Sequence, residues 1–190
     1  MKFKSDIDID FGDRTKALEL LKHVPASIVR NDQLTKHNTG IYVTDVPVDP
    51  FTGSAGLDYN IAEDRGYIKL DILNVSLYNQ VQDEEHLIKL MGTEPAWEKL
   101  YEPEFCAKLI HIGNHYETLV KMLEPVNTIP RMAMFLAVIR PAKRHLIGKS
   151  WKEVAATVWD KSDDGSYGFK QSHAISYATL VVVNMNLLSS

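Results

Sequence analysis

The chain has 190 residues, of which 45% are hydrophobic and 24% are charged, and its formal net charge is −4. This length and composition exclude an intrinsically disordered protein and indicate a soluble globular protein with a substantial core. Cys106 is the single cysteine, which excludes an internal disulfide, and its neighbours lack the Cys/His spacing of a zinc site. We therefore expect a reducing compartment.

The sequence shows no membrane-anchor or secretory pattern. Its most apolar stretch, residues 174–188, is interrupted by Asn184 and Asn186 and is shorter than the about 20 residues that span a bilayer. The first residues carry acidic groups and lack the apolar region and cleavage site of a secretory signal. We expect a buried C-terminal element, no membrane partner and a cytoplasmic location, which would be the host cytoplasm if the protein is viral.

The first predicted element is an acidic strand, residues 5–11, with the sequence Ser-Asp-Ile-Asp-Ile-Asp-Phe. Alternate side chains of a strand point to opposite faces, so Asp6, Asp8 and Asp10 share one face and the apolar residues share the other. Neighbouring carboxylates repel one another unless a cation lies among them. Oxygen ligands suit Mg²⁺, Mn²⁺ or Ca²⁺, so the strand predicts a divalent-cation site.

The segment that follows predicts mostly helix and loop. Gly12-Asp13 is typical of a turn that caps a helix over residues 14–23, and Pro25 is expected to end that helix. A polar stretch then leads to a strand at residues 40–44, and a loop rich in Pro and Gly covers residues 45–56.

A second acidic strand is predicted at residues 66–73, where Lys69 and Asp71 share a face. Asp71 could complete a carboxylate set with Asp8 and Asp10, and two-metal phosphoryl-transfer sites are built from such carboxylates. The alternative is an acidic face without a metal role, in which lysines stabilise the acids across strands or Lys69 forms an ion pair among them.

From residue 74 onward the apolar spacing predicts helices with short connections. The expected helices cover residues 74–81, 84–91, 95–101, 103–112, 115–123, 129–139 and 151–159. A turn is expected at residues 163–166, and a last apolar helix follows it. His111 and His115 have the spacing of paired helix ligands, but no third ligand accompanies them, so we do not assign them to a metal.

One segment of this helical half is strongly basic. Residues 131–152 contain Arg131, Arg140, Lys143, Arg144, Lys149 and Lys152 and no acidic residue. An acidic site opposite a basic segment is what a metal-dependent enzyme acting on polyphosphate needs. The alternative is a solvated basic helix and loop. Overall we predict one α/β (α+β) domain over residues 1–190, with a small mixed or antiparallel sheet in 1–73 and a mostly helical region in 74–190.

Five pieces in one order resemble the palm of the bacterial replicative DNA polymerase III alpha subunit, a C-family DNA polymerase. These pieces are Asp-Ile-Asp-Ile-Asp-Phe with Asp13-Arg14, Lys36-His37 before Gly-Ile-Tyr-Val, Ile-Lys-Leu-Asp-Ile-Leu at 68–73, Leu-Ala-Val-Ile-Arg-Pro at 136–141, and Tyr-Gly-Phe-Lys-Gln-Ser-His-Ala-Ile-Ser-Tyr-Ala at 167–178. The family's Pro-Gly-Pro is here Pro141-Ala142-Lys143, and its thumb, clamp-binding and tail regions have no counterpart in the sequence.

The resemblance implies a polymerase-beta-like palm, reduced and with partial fingers. It implies that Asp8, Asp10 and Asp71 bind two Mg²⁺ or Mn²⁺ ions, and that Lys69 is a catalytic cation facing the phosphates. It also implies that residues of the Lys-His, Arg-Pro and Ser-His segments contact dNTP or primer-template DNA. With the neighbouring basic residues, this predicted contact set is Lys36, His37, Arg140, Lys143, Arg144, Ser172 and His173. Taken without the resemblance, His173 and Tyr177 are core residues.

Two functions follow as hypotheses. The first is a DNA-directed DNA polymerase, or a fragment of one, that transfers a nucleotide from dNTP to a primer 3′-hydroxyl in DNA replication. In the family a Gly-Ser motif that holds the triphosphate precedes the acidic strand, so we expect a second polymerase polypeptide to supply it. The second hypothesis is a non-catalytic replication accessory or interaction protein that keeps the palm shape.

Overall fold

The computed structural model describes residues 7–160 and 169–190. Asp6, the predicted turn at 163–166 and the Tyr167-Gly168 start of the last motif lie outside these ranges. The described residues form two compact units that divide between Val81 and Gln82, and each unit is described by itself. The first unit contains the sheet and the second is helical.

The sheet unit is built on a four-stranded mixed sheet. Its strands are β1 (Ile7–Phe11), β2 (Val24–Arg30), β3 (Gln33–Tyr42) and β4 (Leu70–Asn74), in the spatial order β1-β4-β3-β2. Strand β1 is parallel to β4, and the other two pairs are antiparallel. The predicted α/β class with a small mixed sheet is confirmed, and the polymerase-beta-like topology stays a prediction.

Short helices accompany this sheet. Helix α1 (Arg14–Glu19) is capped by Asp13, whose carboxylate accepts hydrogen bonds from the backbone N–H groups of Thr15 and Lys16 at 3.0 and 3.2 Å. Such a cap satisfies donors at a helix start that have no partner inside the helix. Helix α2 (Tyr59–Asp64) precedes β4, and a 3₁₀ turn (Ser76–Gln80) follows it where the sequence predicted a helix.

The β2–β3 hairpin corrects the predicted course of residues 14–44. The expected helix over 14–23 ends at Glu19, and Pro25 lies in β2, paired with Ile41, rather than ending a helix. Since β2 is an edge strand, it tolerates a residue without a backbone N–H. The turn consists of Asn31 and Asp32, both with positive φ (50° and 59°), as tight hairpin turns require.

The helical unit packs around two longer helices. It contains α3 (Glu84–Gly92), α4 (Pro103–Cys106), α5 (Tyr116–Leu119), α6 (Ile129–Val138), α7 (Trp151–Thr157) and α8 (Gln171–Leu187), with 3₁₀ turns at Trp97–Tyr101 and Pro141–Leu146. Helices α6 and α8 pack together and supply nearly half of the buried core residues of this unit. The helices predicted over 103–112 and 115–123 are each a single turn in the structure, α4 and α5. His111 lies between these two turns and has a left-handed φ of 66°, which an α-helix does not accommodate.

The predicted buried C-terminal element is confirmed as α8. Its two asparagines, Asn184 and Asn186, are buried and hydrogen-bonded rather than exposed to solvent. Asn184 Oδ1 accepts from the Ile110 N–H at 2.8 Å, and Asn186 Nδ2 donates to the carbonyls of Leu90 and Thr93, both at 2.8 Å. Nowhere in the described ranges does a helix have both the length and the apolar character needed to cross a membrane.

Candidate functional site: an acidic face on the parallel strand pair

Parallel pairing brings the predicted carboxylates to one face of the sheet. The register sets Asp8 on β1 opposite Asp71 on β4, and Asp10 lies two residues further along β1, opposite Leu73. Paired residues of neighbouring strands point to the same side of a sheet, and the side-chain period along a strand is two. Asp8, Asp10 and Asp71 therefore share a face, as the sequence predicted.

The carboxylates on β1 influence one another electrostatically. Asp8 is exposed and Asp10 is half-buried. Burial raises the pKa of Asp10 above its ordinary value, and the negative charge of Asp8 raises it further. Burial raises the pKa of the Tyr78 hydroxyl, on the 3₁₀ turn after β4, and the negative charge of Asp10 raises it further. This end of the face would be stabilised by an added cation.

Asp71 is the most enclosed of the three acids and has its own partners. It is 9% exposed. Lys69 Nζ forms an ion pair with Oδ2 of Asp71, and Thr39 Oγ1 donates a hydrogen bond to Oδ1 at 2.6 Å. The structure therefore shows Lys69 as an ion-pair partner of Asp71 itself. Both oxygens of this buried carboxylate are bonded within the chain.

An aromatic ring encloses the other side of Lys69. Its Nζ lies 5.5 Å from the centroid of the Tyr59 ring, and the same ring meets the imidazole of His37 edge-on, with ring centroids 5.4 Å apart. An ammonium over an aromatic face is held by the electrostatic field of the ring. Lys69 is therefore held between the Tyr59 ring and the Asp71 carboxylate.

A bulge in β3 aims Thr39 at Asp71. Pro25 pairs with Ile41 and Ser27 pairs with Lys36. An advance of two residues along β2 is therefore matched by five residues along β3, and the extra residues of β3 form the bulge. Nδ1 of His37 accepts hydrogen bonds from the backbone N–H groups of Gly40 (2.9 Å) and Thr39 (3.3 Å) and so closes the bulge. Bulges commonly re-aim side chains beside functional sites.

Gly40 is the residue that makes room for this arrangement. It lies opposite Asp71 in the register of β3 and β4. A Cβ at this position would lie 2.8 Å from Cδ of Lys69 and 2.9 Å from Nδ1 of His37. Only a residue without a side chain fits here while Lys69 reaches Asp71 and His37 closes the bulge.

His37 is held as a neutral imidazole. Burial lowers its pKa most, the positive charge of Lys69 lowers it further, and Asp71, whose Oδ1 lies 3.7 Å from Nδ1, opposes these effects. Since Nδ1 accepts backbone hydrogen bonds, the proton of the neutral ring is assigned to Nε2. Nε2 is the ring nitrogen left for the predicted nucleotide contact, while Nδ1 has a positioning role.

The residues fit a divalent cation in chemical type and in the face they share. Within residues 7–160 and 169–190, however, no three His, Cys, Asp or Glu side chains lie close enough to hold an ion. Lys69 is already paired with Oδ2 of Asp71, so a cation at that oxygen would have to share it with the ammonium or displace the ammonium. The metal site therefore stays a prediction.

The other predicted contact residues divide between the two units. Lys36 is exposed on β3, in the sheet unit. In the helical unit, Arg140 follows α6, Lys143 Nζ donates to the Thr157 carbonyl at 2.9 Å, and Arg144 is exposed. Ser172 and His173 lie in the first turn of α8, where Ser172 is exposed and His173 is partly buried.

Sequence reasoning missed Thr39, Tyr59 and Tyr78, which contact or influence the predicted carboxylates and their partners. Each comes from a segment that is distant along the chain from the residue it meets. One local signal existed, because a glycine inside a strand pattern, here Gly40, indicates a bulge or a close backbone approach. That signal predicts irregular backbone, and it does not say that a hydroxyl will meet Asp71.

Replacing Thr39 tests its hydrogen bond to Asp71. We expect Thr39→Val to lower the free energy of unfolding by about 1–3 kcal/mol, because a buried carboxylate loses its hydroxyl donor. Thr39→Ser keeps the donor and should stay within about 1 kcal/mol of the parent. Urea denaturation of the three proteins measures the difference, and equal losses in both variants would contradict the assigned bond.

Replacing His37 tests its neutral state. Because its folded-state pKa lies below the ordinary value of about 6.5, the unfolded chain binds the proton more readily. The stability due to neutral His37 is therefore present above that pH and is lost as the pH falls below it. His37→Asn keeps an acceptor that does not titrate, so its unfolding free energy should fall less between pH 7 and pH 5.

His111 and His115, whose pKa values are also lowered, are present in both the parent and His37→Asn. The difference between the two denaturation series therefore isolates His37. Identical pH dependence in the two proteins would show that His37 does not titrate in the way its surroundings indicate.

Comparisons with known proteins leave the family open. A scan against protein-family models, a search of curated proteins and a search of solved structures each found no match. The resemblance to the polymerase III alpha subunit therefore depends on the order of the motifs in the sequence and stays a prediction.

Proposed function

We propose that the protein is a nucleotidyltransferase of the DNA polymerase III type, or a subunit of one, acting at the acidic face of β1 and β4. The observation that carries the proposal is the parallel register that sets Asp8 opposite Asp71, with Asp10 on the same face. A lysine and a hydroxyl converge on the same carboxylate. Carboxylates grouped around cationic groups are the components of phosphoryl-transfer sites.

Asp8, Asp10 and Asp71 would hold Mg²⁺ or Mn²⁺, with two ions expected. When bound, the ions would lower the pKa of a primer 3′-hydroxyl and neutralise charge on the phosphates. In the reaction a bond forms between the 3′ oxygen and the α-phosphorus, the bond to pyrophosphate breaks, and the hydroxyl proton passes to solvent. The partners would be primer-template DNA, dNTP and a second polymerase polypeptide, in the cytoplasm.

The residues around Asp71 have separate roles in this proposal. Thr39 fixes the orientation of Oδ1 through its hydroxyl, and the His37-closed bulge fixes Thr39. Lys69 balances the charge of Asp71 in the absence of a cation. Once released from Oδ2, its ammonium would be available to the phosphates of the substrate. Lys69 would thus be catalytic, and Thr39 and His37 would be positioning residues.

A second candidate function is a non-catalytic interaction protein with the shape of a palm. The observation that favours it is the same ion pair, because Lys69 and Thr39 already satisfy both oxygens of Asp71. The charge of the most buried acid is then balanced without a metal. In this case the carboxylates of the acidic face belong only to the fold, and the face binds no substrate.

A primer-extension assay distinguishes the polymerase from the non-catalytic interaction protein. With primed template, dNTPs and Mg²⁺ or Mn²⁺, and with candidate partner polypeptides added, we expect incorporation by the parent protein. Asp71→Asn should reduce it by more than about 100-fold, since removing even a residue that only supports a metal ligand costs about 10- to 100-fold. Asp45→Asn, a matched change at an exposed acid of the same unit, should leave it unchanged.

Thermal stability gives an independent readout. A ligand that binds only the native state raises the melting temperature, so Mn²⁺ at millimolar concentration should stabilise the parent and not Asp71→Asn. No incorporation with any partner, together with no Mn²⁺ effect on the parent, would overturn the polymerase proposal and favour the interaction protein.

A further inference from the structure

An aromatic side chain projects from the loop that joins β3 to α2. Phe51 is 96% exposed, and three apolar neighbours in the chain are exposed as well, Pro47, Val48 and Pro50. We call residues 47–53 the Phe51 tip, and a single one of them is charged. Single apolar side chains on a surface are common, whereas several grouped together are typical of an interaction site. The Phe51 tip is therefore a candidate contact for another molecule.

Hydrogen bonds within the loop hold the Phe51 tip in one conformation. The Asp49 N–H donates to the Ser54 carbonyl, and the Gly53 N–H donates to the Asp49 carbonyl, both at 2.9 Å. The carboxylate of Asp49 accepts a hydrogen bond from the Phe51 N–H at 2.8 Å. Gly53 has a left-handed φ of 67°, which glycine adopts without strain. A preorganised aromatic group loses little conformational entropy on binding, so Phe51 is suited to anchor a contact.

The helical unit contains an apolar cavity of about 230 Å³, which we call the α3–α6 cavity. It is bounded by the end of α3 with the turn that follows, by the start of α6, and by α8. Its apolar lining residues are Met91, Pro95, Trp97, Ile129, Pro130 and Val182. Pockets for drug-sized ligands have volumes of about 300–1,000 Å³. The α3–α6 cavity is smaller than these and is of a size for one large side chain.

The polar side chains that line the α3–α6 cavity already have partners within the chain. Thr93 Oγ1 donates to a carbonyl one turn earlier in α3 at 2.7 Å. Glu94 Oε1 accepts a hydrogen bond from the Trp97 indole N–H at 2.6 Å, and Thr128 Oγ1 caps the first turn of α6. A polar ligand would have to compete with these bonds, whereas an apolar group would leave them intact. The lining therefore favours an apolar occupant.

We propose that the Phe51 side chain of one copy of the chain binds in the α3–α6 cavity of another copy. The exposed ring and the small apolar cavity match in size and in chemistry. One aromatic side chain buries about 150–250 Å², far less than the about 800 Å² per partner of a stable interface. The association is therefore weak and reversible. It joins two different surfaces, so each copy can bind a further copy in the same way.

Methyl NMR on a mixture of two proteins tests the contact directly. A labelled Phe51→Ala protein keeps the cavity and lacks the aromatic ring. Unlabelled parent protein added to it should shift the methyl signals of Met91, Ile129 and Val182, and the shifts should saturate. Unlabelled Phe51→Ala should bind at least about 10-fold more weakly, because the anchor of the contact is missing. Leu20→Ala shortens another exposed apolar side chain of the sheet unit, and it should act like the parent.

A filled cavity gives the complementary test. Gly92 lines the cavity, and a Cβ at this position would meet no atom within 4 Å, so a larger side chain can be accommodated. When Gly92→Leu is added to the labelled Phe51→Ala protein, its affinity for the unlabelled parent should fall at least about 10-fold. The proposal is overturned if the parent and Phe51→Ala bind equally, if the cavity methyl signals stay unchanged, or if Gly92→Leu binds in full.

Sedimentation equilibrium gives a second readout, on each protein alone. The average mass of the parent should rise above that of one chain as the protein concentration increases, while that of Phe51→Ala should stay close to one chain. Asp71→Asn should associate like the parent, because Asp71 belongs neither to the Phe51 tip nor to the α3–α6 cavity. A parent that keeps the mass of one chain at every concentration would overturn the association, whatever the primer-extension assay shows.

Discussion

The Asp71 carboxylate lies in the middle of a mixed sheet, and the local structure is arranged to balance its charge. A buried carboxylate is costly unless it is paired and hydrogen-bonded. Lys69 supplies the opposite charge and Thr39 supplies a hydroxyl. Thr39 reaches Asp71 because β3 carries a bulge, the bulge is closed by a neutral histidine, and the facing position is a glycine. Replacing any of these groups would leave the buried charge of Asp71 less fully compensated and would destabilise the fold.

This same arrangement decides what the acidic face can do. Asp8 and Asp10 lie on the edge strand, where Asp10 is already harder to ionise because of burial and its neighbour. A divalent cation there would compete with Lys69 for Asp71. In the proposed function, metal binding is coupled to the release of Lys69, whose ammonium would then be available to substrate phosphates. A protein without metal chemistry would keep the ion pair closed.

The acidic face could be predicted from the sequence because it depends on local rules. Side chains alternate between the two faces of a strand, so Asp8 shares a face with Asp10, and Lys69 shares a face with Asp71. The parallel pairing of β1 and β4 then brings Asp8 opposite Asp71, on one face of the sheet. The β2–β3 hairpin was missed because Pro25 and the polar residues at 31–36 are typical of loops, and pairing along the sheet overrides that preference. The expected helices at 103–112 and 115–123 have apolar spacing, but the backbone at His111 is left-handed, and the apolar spacing does not predict this. Contacts such as Thr39 with Asp71, or His111 with Tyr177, join residues far apart in sequence and leave no local pattern.

The central claim is that Asp8, Asp10 and Asp71 act together as a cation site, and paramagnetic NMR tests it most directly. Mn²⁺ broadens the resonances of nuclei near the place where it binds. At substoichiometric Mn²⁺ the account predicts selective loss of the amide signals of β1 and β4 around these three residues, with a change in the Lys69 side-chain signals. Broadening confined to exposed acids elsewhere, with β1, β4 and Lys69 unaffected, would contradict it.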